Sequence, residues 1–286
     1  MTKYENRHIP EGINVSEEHP LKEFLILAFG LGAITALVVL LLSLMAGWLV
    51  HFIPFSLEKS LATSSFSTST SSDVVLTNEQ LEIEGYLQLL ANKLSAAQHL
   101  PDGMEVVVHY VDGDTVNAFA TLGGNIIMYR GLIEALPHEN ALAMLLSHEI
   151  AHIKQRAPIV SLGRGVAVGL ALASLSGFGD SSMSHQLIGN VGLLTSLTFS
   201  RHQEEQADIE ALQTLENYYG HAQGAESLFE ILSEGDYALK PPKLLSTHPI
   251  TEERINRVRH FNGSHVGLAS YKPLPEFLVN ISQGLD

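Results

Sequence analysis

Residues 148–152 read His-Glu-Ile-Ala-His. On a helix, His148 and His152 stand one turn apart on one face, so both imidazoles reach a single cation. Glu149 is ~100° round the helix from His148. From there its carboxylate reaches a water beside the cation rather than the cation itself. Zinc lowers the pKa of such a water to about 7, and a neighbouring carboxylate takes its proton. The chemistry to expect is therefore hydrolysis. A hydrolytic zinc takes three protein ligands and keeps its fourth position open. Residues 204–208 offer the third ligand: Glu204 and Asp208 lie four apart on one helix face. Glu204 is placed to ligate, and Asp208 to accept the outer N–H of a liganding histidine. Glu205 and His202 read as surface residues, with His202 a spare ligand.

Two helices must hold these groups. The first spans 139–156, and its residues Ala141, Leu142, Ala143, Met144, Leu145 and Leu146 are apolar all round, the mark of a buried central helix. The second spans 201–218. Shorter helical patterns occupy 132–136, 223–233 and 250–260, and two weakly polar stretches fill 158–200. Upstream, Thr77 to Gln80 fits a capping box, followed by an apolar stripe of Leu81, Tyr86, Leu89, Leu90 and Leu94. Pro101-Asp102-Gly103 ends that helix. Residues 104–110, 117–122 and 125–129 read as strands, the last two joined by Gly123-Gly124. The expected fold is mainly α with a small antiparallel β-sheet, an α+β domain. His99, His109, His138, His221 and His260 read as surface or internally satisfied residues.

The 286 residues carry 16 Lys+Arg against 31 Asp+Glu, a net charge of −15, which repels phosphate backbones and argues against nucleic-acid binding. There is no cysteine, so disulfides, thiolate metal sites and a cysteine nucleophile are excluded. Residues 24–50 contain no charge, and 27 residues are enough to cross a bilayer core with some tilt. This run is twice the usual length of a cleavable signal's apolar region and follows 23 polar residues. Lys3, Arg7 and Lys22 precede it and Lys59 alone follows closely, which places the N-terminus in the cytoplasm and the bulk of the chain outside it. The expected layout is a cytoplasmic tail at 1–23, a single-pass inner-membrane anchor at 24–53, a flexible Ser/Thr-rich linker at 54–74, and a metallopeptidase domain at 75–286.

Six features recur together and in order: an N-terminal anchor, Asn117-Ala118-Phe119-Ala120, Gly123-Gly124, the His148–His152 motif, Glu204 with Ala207-Asp208, and Thr247-His248-Pro249 followed by Arg254-Ile255. The combination resembles the HtpX/BepA-type zinc peptidases, a family that also holds the CAAX prenyl proteases and the mitochondrial Oma proteases. The resemblance covers about 77–260. It implies a gluzincin fold, one zinc ion on His148, His152 and Glu204, Glu149 as base, and Asp208 behind the ligands. It also implies that Asn117, Ala118, Phe119 and Ala120 form an edge strand on which a peptide lies as an added strand. His248 resembles a histidine that approaches the zinc at rest or donates to the oxyanion; the alternative, from residue chemistry alone, is the entry to a helix. In four-span relatives 158–200 forms membrane spans. Here its Ser, Gly, Asn190 and Asp180 fit buried amphipathic helices, or a hairpin dipping into one leaflet, and a mobile lid over the cleft. Two functions follow. One is a membrane-anchored metalloendopeptidase acting on unfolded or membrane-associated polypeptides in quality control. The other is a zinc-bearing chaperone or assembly factor with latent proteolysis.

Overall fold

The computed structural model describes residues 20–69, 77–175, 199–234, 243–263 and 271–281. The chain opens with α1 (Pro20–Leu49), whose apolar side chains point outward along its length. It is about 45 Å long, and it alone among the described residues is long and apolar enough to cross a membrane. A short turn leads to α2 (Phe55–Ser69). Much of the stretch expected as a flexible linker is therefore helical. The hydroxyls of Ser60 and Thr63 bond back to the carbonyls of Ser56 and Lys59, so these residues satisfy their own polar groups along the helix.

Next come α3 (Asn78–Ala97), β1 (Val107–Val111), β2 (Ala118–Thr121) and β3 (Asn125–Tyr129). Thr77 and Gln80 form the expected capping box. The buried face of α3 is Ile83, Leu87, Leu90, Ala91 and Leu94, whereas Leu81 and Leu89 are exposed. The sheet is mixed, not antiparallel as expected. Its order is β1-β3-β2, with β2 antiparallel and β1 parallel to β3. The chain leaving β1 crosses to the far edge before the glycine turn brings β3 back between the two, so β1 and β3 point the same way. Gly123 and Gly124 both have positive φ, which the tight turn demands. The β1 edge is closed by α3: Gln88 bonds Val106 O and Val108 N, and Glu84 accepts from Tyr110 N. That leaves β2 as the other rim of the sheet.

The remaining described helices are α4 (Arg130–Ala135), α5 (Glu139–Lys154), α6 (Ala157–Leu175), α7 (Arg201–Tyr219), α8 (Ala225–Glu234), α9 (Leu244–Thr247), α10 (Glu252–Gly263) and α11 (Glu276–Val279). Every residue of α5 from Glu139 to Ile153 is buried. It packs chiefly on α7, with α3 and α8 on its other sides, and forms the axis of the main core. α6 lies against α1. Of the expected lid at 158–200, residues 158–175 lie in α6, while residues 176–198, with Asp180, lie outside the described residues.

Candidate metal centre

α5 packs closely on α7, where Ala207 and Ala211 are fully buried. This close approach brings the α5 histidines to the α7 carboxylates. α7 begins at a capping box of Ser200 and Gln203, which fixes the turn from which Glu204 enters the core.

His148 Nδ1 lies 3.0 Å from Asp208 Oδ1, leaving Nε2 to face inward. That Nε2 is 3.1 Å from His152 Nε2, 3.2 Å from His248 Nδ1 and 3.6 Å from Glu204 Oε2. Glu204 Oε1 is 3.2 Å from His152 Nε2 and 3.0 Å from His248 Nδ1. All four residues are buried, and one ligand atom from each lies within 4.8 Å of every other. Glu149 stands beside this cluster. Its Oε2 accepts from Ala120 N at 2.7 Å, and its Oε1 lies 3.6 Å from His248 Nε2.

Electrostatics sharpens the arrangement. Burial favours a neutral His148, but the Asp208 and Glu204 carboxylates outweigh it and push its pKa up to about 10. Burial dominates at His152 and pushes it down to about 3. Against the cost of burial, His248 and the two α5 histidines hold Glu204 far below the usual carboxylate range. Asp208 is lowered too, by Arg254 and His148 against its own burial.

The donor set fits a small, positively charged ion. Four bonds of about 2.05 Å in a tetrahedron have edges of ~3.3 Å; the five contacts above run from 3.0 to 3.6 Å, with Glu204 offering Oε2 to His148 and Oε1 to His152 and His248, and one ligand atom from each residue lies within 4.8 Å of the others. Imidazole nitrogens turned onto one another share at most one proton per contact, so a cation satisfies this cluster better than protons do. Glu149 Oε1, His152 Nδ1, Glu204 Oε2 and His248 Nε2 are all buried without a hydrogen-bond partner.

The sequence-predicted residues fall as follows. His148, His152, Glu204 and His248 are brought together, with Asp208 behind His148 and Glu149 alongside. Glu205 pairs with Arg257 at the surface, and His202 is exposed. Ala118, Phe119 and Ala120 form β2, with Asn117 just before it. Tyr129 N bonds Asn117 O, which makes the alternate residues Ala118 and Ala120 direct their backbone groups away from β3. His248 does not begin α10, whose first turn is held by Thr251; it caps the C-terminal end of α9.

The model of peptidase family M48 matches residues 81–262, well over half of the chain. The chain belongs to peptidase family M48. It is 29% identical to the beta-barrel assembly-enhancing protease of Escherichia coli K12 over 163 residues, 52% of this chain and 33% of that protein. A similar likeness, 28% over 179 residues, links it to the mitochondrial metalloendopeptidase OMA1 of Schizosaccharomyces pombe, covering 62% of this chain and 52% of that one. The chain thus spans a third to a half of the length of these curated relatives.

Two M48-site neighbours carry no role in the sequence reading. Arg254 grips Asp208 with Nε and Nη2 at 2.7 and 2.8 Å and donates to Pro249 O. Its Nη1 also stands 2.7 Å from Glu204 Oε2, an ion contact without hydrogen-bond alignment. One arginine thereby orients both α7 carboxylates. Phe199 stacks on His152 with ring centroids 4.0 Å apart. Nothing in spacing pointed to Phe199, but an arginine in the stretch that follows His248 was a usable signal for Arg254.

Proposed function

We propose that this chain is a membrane-anchored zinc metalloendopeptidase of gluzincin type. The observation that carries the reading is the buried cluster of His148, His152, Glu204 and His248, with Glu149 beside it and tied to the backbone of β2. His148, His152 and Glu204 hold the ion. Zinc there supplies Lewis acidity, acidifying water and polarising a carbonyl. Glu149 takes the proton of the attacking water through Oε1 while the Ala120 amide holds Oε2. Asp208 fixes the His148 ring through Nδ1, and Arg254 fixes Asp208. A substrate peptide adds to the outer edge of β2, alongside Asn117, Ala118, Phe119 and Ala120.

His248 takes a fourth place in the cluster, which supports the restraint reading over a helix-entry role: the resting enzyme is held closed by its own imidazole. The same observation favours, as a second reading, an assembly factor with latent proteolysis. The exposed apolar α1 supports an anchor in the cell inner membrane, and the Lys/Arg bias puts residues 1–23 in the cytoplasm and the domain at 75–286 outside it. Its substrates are unfolded or membrane-associated polypeptides of the envelope, and its role is quality control.

The test is full-length protein in detergent, assayed for bound metal and for cleavage of casein. Glu149→Gln is expected to keep the metal and lose about a thousandfold in rate. Retention of a tenth of wild-type turnover would remove Glu149 from the role of base.

A further inference from the structure

The end of the anchor is joined to the peptidase core at one buried point. Glu58 of α2 is 2% exposed. Its Oε2 accepts from Arg156 Nε at 2.6 Å and its Oε1 from Gly123 N at 3.1 Å. Arg156 lies two residues past the end of α5, in the turn between α5 and α6. It holds φ +58, a left-handed backbone that non-glycine residues rarely adopt. Its Nη1 donates to Ile53 O at 3.1 Å, and its guanidinium lies 5.5 Å from the Phe55 ring. Gly123 belongs to the turn that ends β2. A Cβ there would meet Ala62 Cβ at 2.9 Å and the Lys59 backbone at 3.0 Å, so α2 sits directly on the turn. Around this point Val50, Ala62, Leu122, Ile159 and Val160 form a hydrophobic cluster separate from the main core. Four elements therefore meet at one carboxylate: the anchor's exit, α2, the end of β2, and the end of α5.

We propose that Glu58 is a positioning residue: by bridging Arg156 and the Gly123 amide it sets the spacing between the β2 edge and the helix carrying His148, Glu149 and His152. This rests on the reading of β2 as the peptide platform. β2 meets α5 directly at the bond from Ala120 N to Glu149 Oε2, so the position of the strand against this helix sets where a peptide added to its edge would lie. The His and Glu ligands are held independently, by the packing of α5 on α7. Loosening the bridge therefore moves the platform and leaves the ion site in place. Glutamine is the informative replacement. It offers one carbonyl oxygen to two donors, and its own N–H₂ then faces either Arg156 or Gly123 N.

The experiment compares wild type, Glu58→Gln and Glu58→Asp as full-length protein in detergent, with two readouts. The first is amide hydrogen exchange over residues 118–124 and 143–153; the second is kcat and KM on an unstructured peptide, with metal content measured alongside. For Glu58→Gln the expected result is about tenfold faster exchange at 118–124, unchanged exchange at 143–153, unchanged metal, and KM raised about tenfold with kcat changed less. Glu58→Asp, which keeps the charge, recovers part of both effects and carries the test if Glu58→Gln does not fold. Wild-type exchange at 118–124 together with wild-type KM overturns the proposal. So does loss of metal with faster exchange across 143–153, which would make Glu58 a general stabiliser. If wild type itself cleaves nothing, the peptidase reading fails, while the exchange result still decides the bridge.

Discussion

The two ends of α5 each bury a carboxylate-centred network, and they differ in how completely it is satisfied. At the N-terminal end, Glu139 receives Tyr86 Oη on Oε2 and both Tyr219 Oη and Lys272 Nζ on Oε1, at 2.6 to 2.8 Å. Both carboxylate oxygens have donors, and the acidic side chain also suits the positive end of the helix. Toward the C-terminal end, the His148, His152, Glu204 and His248 cluster contains like groups turned inward on each other and several buried atoms without partners. A structural network closes its own bonds; a network left incomplete in a buried interior is a place kept for something else. The same helix thus separates stability from chemistry along its axis.

Breaking the incomplete end should change activity and metal binding far more than melting temperature. Glu149→Gln has the largest expected effect, the thousandfold loss described above. Asp208→Asn comes next. It keeps the size of the side chain but weakens the hold on His148 Nδ1 and leaves Arg254 facing a neutral amide, and metal affinity should fall about 10- to 100-fold. Competition with a chelator measures this directly; an unchanged affinity would mean that α5 packing alone orients His148. His248→Ala should raise basal hydrolysis of casein severalfold at unchanged metal content, because it clears the fourth position. A drop of about 100-fold would instead assign His248 to the oxyanion, the size expected for one lost donor.

The helix carrying His148 and His152 was legible in the sequence because its pattern is local: two histidines four apart inside a run with no polar face. Their partners came from another helix, where the spacing within 204–208 put Glu204 and Asp208 on one face, and it is Glu204 rather than Glu205 that the structure brings to the histidines. What was not legible depends on distant partners. The stripe on α3 was misassigned at Leu81 and Leu89 because Glu84 and Gln88 turn inward to bond β1, rotating the buried face towards Ile83 and Leu87. The direction of β1 depends on where the chain crosses, which alternation along a strand does not encode. The Ser/Thr tract looked unable to order itself. Its ordering comes from Glu58 and Ala62 docking on a turn and an arginine far along the chain, contacts that no local pattern reports.

The smallest predicted effect tests the satisfied end. Burial alone would raise the pKa of Glu139, but Lys272, Tyr219 and Tyr86 reverse this and hold it below its ordinary value of 4.5. A carboxylate depressed in the folded state contributes stability that is complete above the unfolded pKa and is lost as pH falls through the folded one. Glu139→Gln removes the charge that these three donors share, and should cost ~2 kcal/mol at neutral pH, the scale of hydrogen bonds to a charged group. Turnover per folded molecule should stay at the wild-type level, since Glu139 touches nothing in the metal cluster. Melting of wild type and variant followed from pH 8 downward should show a constant gap to about pH 6 that narrows below 4.5 as the wild type loses its advantage. A gap independent of pH would mean that Tyr86 and Tyr219 stabilise this end by packing rather than by bonding a charge. A fall in turnover would break the separation of the two ends altogether.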